Sequence, residues 1–196
     1  MVTDPHVSAE AKEAVFKEMI HLVAEACNIP VSIKLSPFYS SLPNFIKEAD
    51  HAGVKGYVLF NRYLQPEFDI EKKEISMKAR FSSSSDTSLG ANWIAVLSPM
   101  VEKDFVLCNG VHTAEDIVRG VMAGASAAYM VSEFLIHGPR VASKVIQDLN
   151  AWMDTHEYAD IASMKGLMAE KLLENSMALK RQSYMKALRS FNENLL

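Results

Sequence analysis

Apolar positions along this chain change their period repeatedly, from helical spacing to short continuous runs and back. Ala11, Val15, Met19, Leu22, Val23 and Ala26 recur at helical spacing behind Ser8. That pattern predicts a helix capped by Ser8, running to about Cys27, with those six residues on its inward face. Asn28-Ile29-Pro30 ends it, and the run 31–35 reads as a strand from which Ser36-Pro37 turns away. Leu42, Phe45, Ile46 and Ala49 predict a helix over 41–51 with Gly53 as its stop, and 56–60 predicts a second strand ending at Asn61-Arg62. Further apolar runs at 105–108 and 127–131 predict two more strands. Between them Thr113 stands three residues before Asp116, the spacing of a capping box. Ile117, Val118, Val121, Met122 and Ala125 then repeat helically up to the stop at Gly124. After Gly138-Pro139, the series Val141, Val145, Ile146, Leu149, Trp152, Met153 predicts a helix to about His156. The segments 161–173 and 177–191 also read as helical.

The rhythm fails once, between 63 and 89. Two charged pieces with strand-like patterning, 67–75 and 76–81, precede the serine run 82–85, and helical character returns at 91–101. This predicts a rim insertion holding a hairpin or two with a mobile polar tip. The serine run has no Gly-x-Ser-x-Gly context, so a nucleophile elbow is not indicated. Elsewhere strand and helix alternate, which means a parallel sheet with helices outside. Four strands preceded by a helix are half of what a (β/α)8 barrel needs. The expected fold is therefore α/β, the C-terminal half of a barrel of that type, over residues 1–170, with a helical extension at 171–196.

Composition narrows the partners. The chain has 196 residues and a formal net charge of −4. Without basic clusters, nucleic acid is not an expected partner. Cys27 and Cys108 lie apart within apolar patterns and lack metal-ligand spacing, so a reducing cytoplasm is the expected compartment. The first residues show no basic start followed by an apolar run, so no leader is expected. No apolar run approaches the roughly 18 residues that span a membrane.

The candidate chemistry sits on 106–135. Strand, glycine turn, capped helix, glycine stop and second strand make a βαβ unit whose strand ends, Asn109-Gly110 and Val131-Ser132, would share one rim. Free N–H groups in such turns favour an anion. On spacing alone, the turns any α/β protein requires explain the pattern at least as well. Lys34 is a second candidate, because an unpaired lysine within a strand is costly to bury. A Schiff-base lysine of an aldolase-like half-barrel is one reading of it. His112 reads as a capping or surface residue.

Taken together, VSIKLSP at 31–37, GYVLFNR at 56–62, CNGVHTAEDIVRGVMAGASAAYMVSEFLIHGP at 108–139 and WMDTHEYADIASMKG at 152–166 resemble the C-terminal half of the dihydroorotate dehydrogenase family, in its dehydrogenase-like branch. The order is unbroken over about 8–170. The resemblance implies an FMN-dependent oxidoreductase of pyrimidine biosynthesis converting dihydroorotate to orotate. It places Lys34 against the flavin, Asn61 on the pyrimidine, and Asn109-Gly110-Val111 with Val131-Ser132 around the flavin phosphate. Asn109 and Val131 stand where the family has glycines. The catalytic base and the first flavin contacts belong to the family's front half, so none is assigned here. A front-half partner chain, a homo-oligomer closing a pseudo-barrel, or a non-catalytic half-barrel binding a phosphate-bearing ligand are the companion expectations.

Overall fold

The strands pair in the order in which the chain makes them. The computed structural model describes residues 4–64, 66–77 and 80–169. Its elements are α1 (Ala9–Ala26), β1 (Ser32–Leu35), α2 (Leu42–Asp50), β2 (Gly56–Leu59), β3 (Glu67–Asp69), β4 (Glu74–Ser76), α3 (Thr87–Leu97), β5 (Asp104–Cys108), α4 (Ala114–Ala123), β6 (Ala127–Tyr129), α5 (Ser132–His137) and α6 (Val141–Thr155). Four strands form one parallel sheet in the order β1-β2-β5-β6, and β3 and β4 form a separate antiparallel hairpin. Buried residues of α2, α3 and α4 join a single core with β1, β2 and β5, so the crossover helices cover one face. Sequential winding with helices on one side is barrel construction; a doubly wound sheet carries helices on both faces.

Alternation along the strands divides the sheet into two faces. The helix-side rows Ile33–Tyr57–Phe105 and Leu35–Leu59–Leu107–Ala128 follow from the register. Tyr57, Phe105, Leu59 and Leu107 are fully buried there. The Tyr57 and Phe105 rings stack at 5.6 Å, and the Tyr57 hydroxyl donates to Ile46 O at 3.1 Å. The opposite row is Lys34–Val58–Val106–Ala127, and only Val58, Val106 and Cys108 form a buried cluster on that side.

Local signals explain most boundaries. Ser8 Oγ accepts from the Ala11 N–H at 3.1 Å to start α1. The four residues expected inward on α2, Leu42, Phe45, Ile46 and Ala49, are all buried. Gly124 closes α4 at φ +113. Val145, Leu149 and Met153 of α6 pack on α4, whereas Ile146 is exposed.

Several expectations need correction. The expected inward stripe of α1 faces out: Val15, Met19, Leu22 and Val23 are half or more exposed, and the helix packs through Phe16 and Ile20. Its apolar residues go most of the way round, and the sequence period could not say which side met the rest. The insertion holds one hairpin, its turn shaped by the Lys72 N–H donating to Asp69 Oδ1 at 2.9 Å. Arg80 pairs with Glu67 across its base. α3 starts at Thr87 and ends at Leu97, because a 3-10 turn at Ser84–Asp86 leads into it and Pro99 follows it. β6 stops at Tyr129, and the unexpected helix α5 begins at Ser132. In 161–173 the structure gives a 3-10 turn at Ala162–Met164. The helical expectations beyond 169, including the extension at 171–196, lie outside the described residues.

Candidate functional site

The C-terminal ends of the strands carry the polar chemistry, and the turn after β5 is its centre. Asn109 and Gly110 have φ +82 and +84. Asn tolerates the left-handed region better than other residues with a side chain, which is how it can stand at a glycine-like position. Gly110 could not be replaced so simply, since a Cβ there would lie 2.5 Å from Thr87 N and 2.8 Å from Ser83 O. The serine turn therefore lies directly on the β5 turn. Among the described residues, the Asn109, Gly110 and Val111 N–H groups have no protein acceptor, although Val111 is buried.

Asp116 holds these pieces in place. It is 1% exposed, and its Oδ2 accepts from Ser84 Oγ at 2.7 Å, His112 N at 3.0 Å and Thr113 N at 3.1 Å. Arg119 donates to its Oδ1 at 2.7 Å and to Thr87 Oγ1 at 2.9 Å. Burial pushes this carboxyl up, yet the bonds from Ser84, the two backbone N–H groups and Arg119 outweigh it and leave it below its ordinary value. The capping box expected between Thr113 and Asp116 is present, but one carboxylate also ties the 82–85 run and α3 to the turn.

Two readings of single residues change accordingly. The serine run is not a loose tip. Ser82 N and Oγ donate to Ser132 Oγ at 3.0 and 2.9 Å, and Ser82 Oγ lies 3.1 Å from His112 Nε2. His112 is neither a cap nor a surface residue, because its side chain is 14% exposed and its Nδ1 lies 2.7 Å from Glu133 Oε2. Ser82 and Glu133 are 30 and 21 residues from His112 in the chain, so no local pattern announces them.

The expected site residues divide into two groups. Ser132 meets the Gly110 turn through Ser82 and His112. Val131 is 57% exposed and precedes α5, its carbonyl accepting from Leu135 N at 3.1 Å. Asn61 follows β2, with its N–H donating to Leu35 O at 2.6 Å. With Asn109, Phe60, Arg62, Leu89 and Cys108 it lines a cleft of 270 Å³. Lys34 lies on the edge strand β1, beside Val58, exposed to solvent. Its exposure removes the argument from burial cost. Three strand spacings, roughly 14 Å, separate it from β6.

The donor set fits a phosphomonoester: three free N–H groups on the β5 turn and a serine hydroxyl on the neighbouring rim. Among the described residues, no three His, Cys, Asp or Glu side chains converge as metal ligands, and no helix is long and apolar enough to cross a membrane.

Comparison with known proteins places these features in context. The family model described as Dihydroorotate dehydrogenase matches residues 3–153. Similar curated proteins include the catalytic subunit of dihydroorotate dehydrogenase B (NAD(+)) of Thermoplasma acidophilum, 26% identical over 83% of this chain and 56% of that one. The same subunit of Shouchella clausii is 25% identical over 76% of this chain and 50% of that one. That of Bacillus mycoides is 25% identical over 84% and 51%. The chain spans about half the length of the curated relatives it matches.

Proposed function

The chain belongs to the dihydroorotate dehydrogenase family, and from that premise we propose that it is the FMN-holding half of an oxidoreductase acting on dihydroorotate or a related dihydropyrimidine, in the cytoplasm. The observation that carries this reading is the β5 turn, where unpaired N–H donors at Asn109–Val111 adjoin Ser132 on the next rim. Those residues hold the flavin phosphate. Lys34, several strands away on the same sheet face, meets the ring end of the extended cofactor. Asn61, in the cleft between, hydrogen-bonds the pyrimidine. A bound flavin supplies the hydride acceptor for that chemistry. None of the residues assigned here is a base, so completion by a second chain, or by a second copy, belongs to the proposal.

Its test is direct. Protein mixed with FMN and freed of excess is expected to keep the visible flavin bands, and Lys34→Ala is expected to retain less flavin while folding normally. A colourless parent protein would overturn the reading. The alternative, a half-barrel that binds a phosphate-bearing ligand without catalysis, is favoured by the sheet face that the described residues leave open; it predicts phosphate binding without retention of the ring.

A further inference from the structure

Three side chains that the flavin reading leaves unused stand between the two rim turns. Ser82 Oγ contacts both His112 Nε2, at 3.1 Å, and Ser132 Oγ, at 2.9 Å, while His112 Nδ1 meets Glu133 Oε2 at 2.7 Å. By residue type, Ser82–His112–Glu133 has the parts of a nucleophile, its base and an orienting carboxylate. The proton directions point elsewhere. Ser82 gives its hydroxyl proton to Ser132, so its lone pairs face the histidine and Nε2–H is the donor. Glu133 takes Nδ1–H. A ring donating through both nitrogens is an imidazolium. The proton that a nucleophile would have to lose is aimed away from its base, and Ser132 Oγ, already accepting from Ser82 N and Oγ, keeps its own O–H for a ligand.

We propose that Ser82, His112 and Ser132 are the side-chain half of a phosphomonoester receptor, with Glu133 as the positioning residue that fixes the imidazolium. The proposal rests on the flavin-phosphate reading of this rim and adds the source of its positive charge. A phosphomonoester brings nearly two negative charges. The rim already holds Asp116 and Glu133, and Arg119 is committed to Asp116 and Thr87. Lys34 lies on the far edge strand. The His112 and Glu133 side chains are 14% and 15% exposed, which spares their charge-assisted bond much of the screening of open water. His137 Nε2 stands 3.5 Å from the other Glu133 oxygen, so this carboxylate faces two histidines and stays anchored on α5.

The experiment uses the full chain with 15N-labelled histidine, inorganic phosphate and FMN as ligands, and riboflavin as the phosphate-free control. Phosphate is expected to move the His112 ring resonances. FMN is expected to bind on the order of ten- to a hundredfold more weakly to Ser82→Ala and His112→Ala, with riboflavin unaffected. Glu133→Gln should fall between them and the parent. Equal FMN affinity in parent and His112→Ala overturns the receptor and leaves the flavin reading standing. A His112 ring that responds to phosphate in a protein binding neither FMN nor riboflavin does the reverse. A parent His112 ring indifferent to both phosphate and FMN overturns the receptor without any variant having to fold. So does labelling of Ser82 by a fluorophosphonate that His112→Ala abolishes, because that would show nucleophile polarity.

Discussion

The two faces of the parallel sheet obey different rules although they are made by the same four strands. On the helix side every second residue of β2 and β5 is fully buried, and Tyr57, Leu59, Phe105 and Leu107 join one core with α2, α3 and α4. On the other side Val58, Val106 and Cys108 form a cluster of three between exposed Lys34 and exposed Tyr129. Parallel strands are ordinarily covered on both faces. Stability therefore resides on one face and chemistry at the ends of the other, and substitutions should separate the two.

The largest effect is expected from the helix side. Phe105→Ala removes a ring stacked on Tyr57 in the core, at a cost of about 3–5 kcal/mol of unfolding free energy. Val106→Ala, one residue on but facing the open side, should cost only about 1–2 kcal/mol. Urea unfolding of both variants measures the difference, and equal losses would end the distinction between the faces. Gly110→Ala comes next. Its φ of +84 and the backbone of Ser83 and Thr87 in the way of a Cβ predict a loss of about 2–3 kcal/mol. The damage should be confined to the rim, so the circular dichroism of the helices should survive while phosphate and FMN binding are lost.

A third measurement follows the buried carboxylate that connects rim and core. Asp116 is held below its ordinary value of 3.8, so the folded state binds its proton less readily than the unfolded chain. Its contribution to stability is complete above that ordinary value and is lost as pH falls through the lower folded one. Asp116→Asn should cost about 2 kcal/mol near neutral pH. It should also flatten the acid limb of a stability profile taken from pH 6 to pH 3. A variant profile parallel to the parent's would mean that the knot of Ser84, His112, Thr113 and Arg119 is not held by charge.

The history of these residues shows what a sequence exposes. All four sheet strands, the buried face of α2 and the Thr113–Asp116 box follow from period and spacing, because they are local. The Asn109-Gly110 turn was legible for the same reason: few residue pairs tolerate two successive positive φ values. Ser82, His112 and Glu133 were not legible as a group. The 30 and 21 residues between them carry no joint signal, and each alone has an ordinary explanation. The α1 error has another cause. A helix with apolar residues on more than one side has an ambiguous inward face, and only its packing through Phe16 and Ile20 decides it.

That helix supplies the smallest expected effect and a useful control. Val15, Met19, Leu22 and Val23 form an apolar stripe that the described residues leave to solvent, with exposures from 50% to 58%. Residues that bury nothing contribute little to unfolding free energy, so Met19→Lys with Val23→Lys should change it by no more than about 0.5 kcal/mol. Lysine is at least as good a helix former as the valine it replaces, so α1 itself should persist. An apolar stripe in water favours association, and the same double variant should lower the weight-average mass measured by sedimentation at high protein concentration. A loss of stability comparable to that of Phe105→Ala would show that the stripe is buried in the folded chain. The helix would then belong with the covered face of the sheet, and the contrast between covered and open surfaces would have to be redrawn around it.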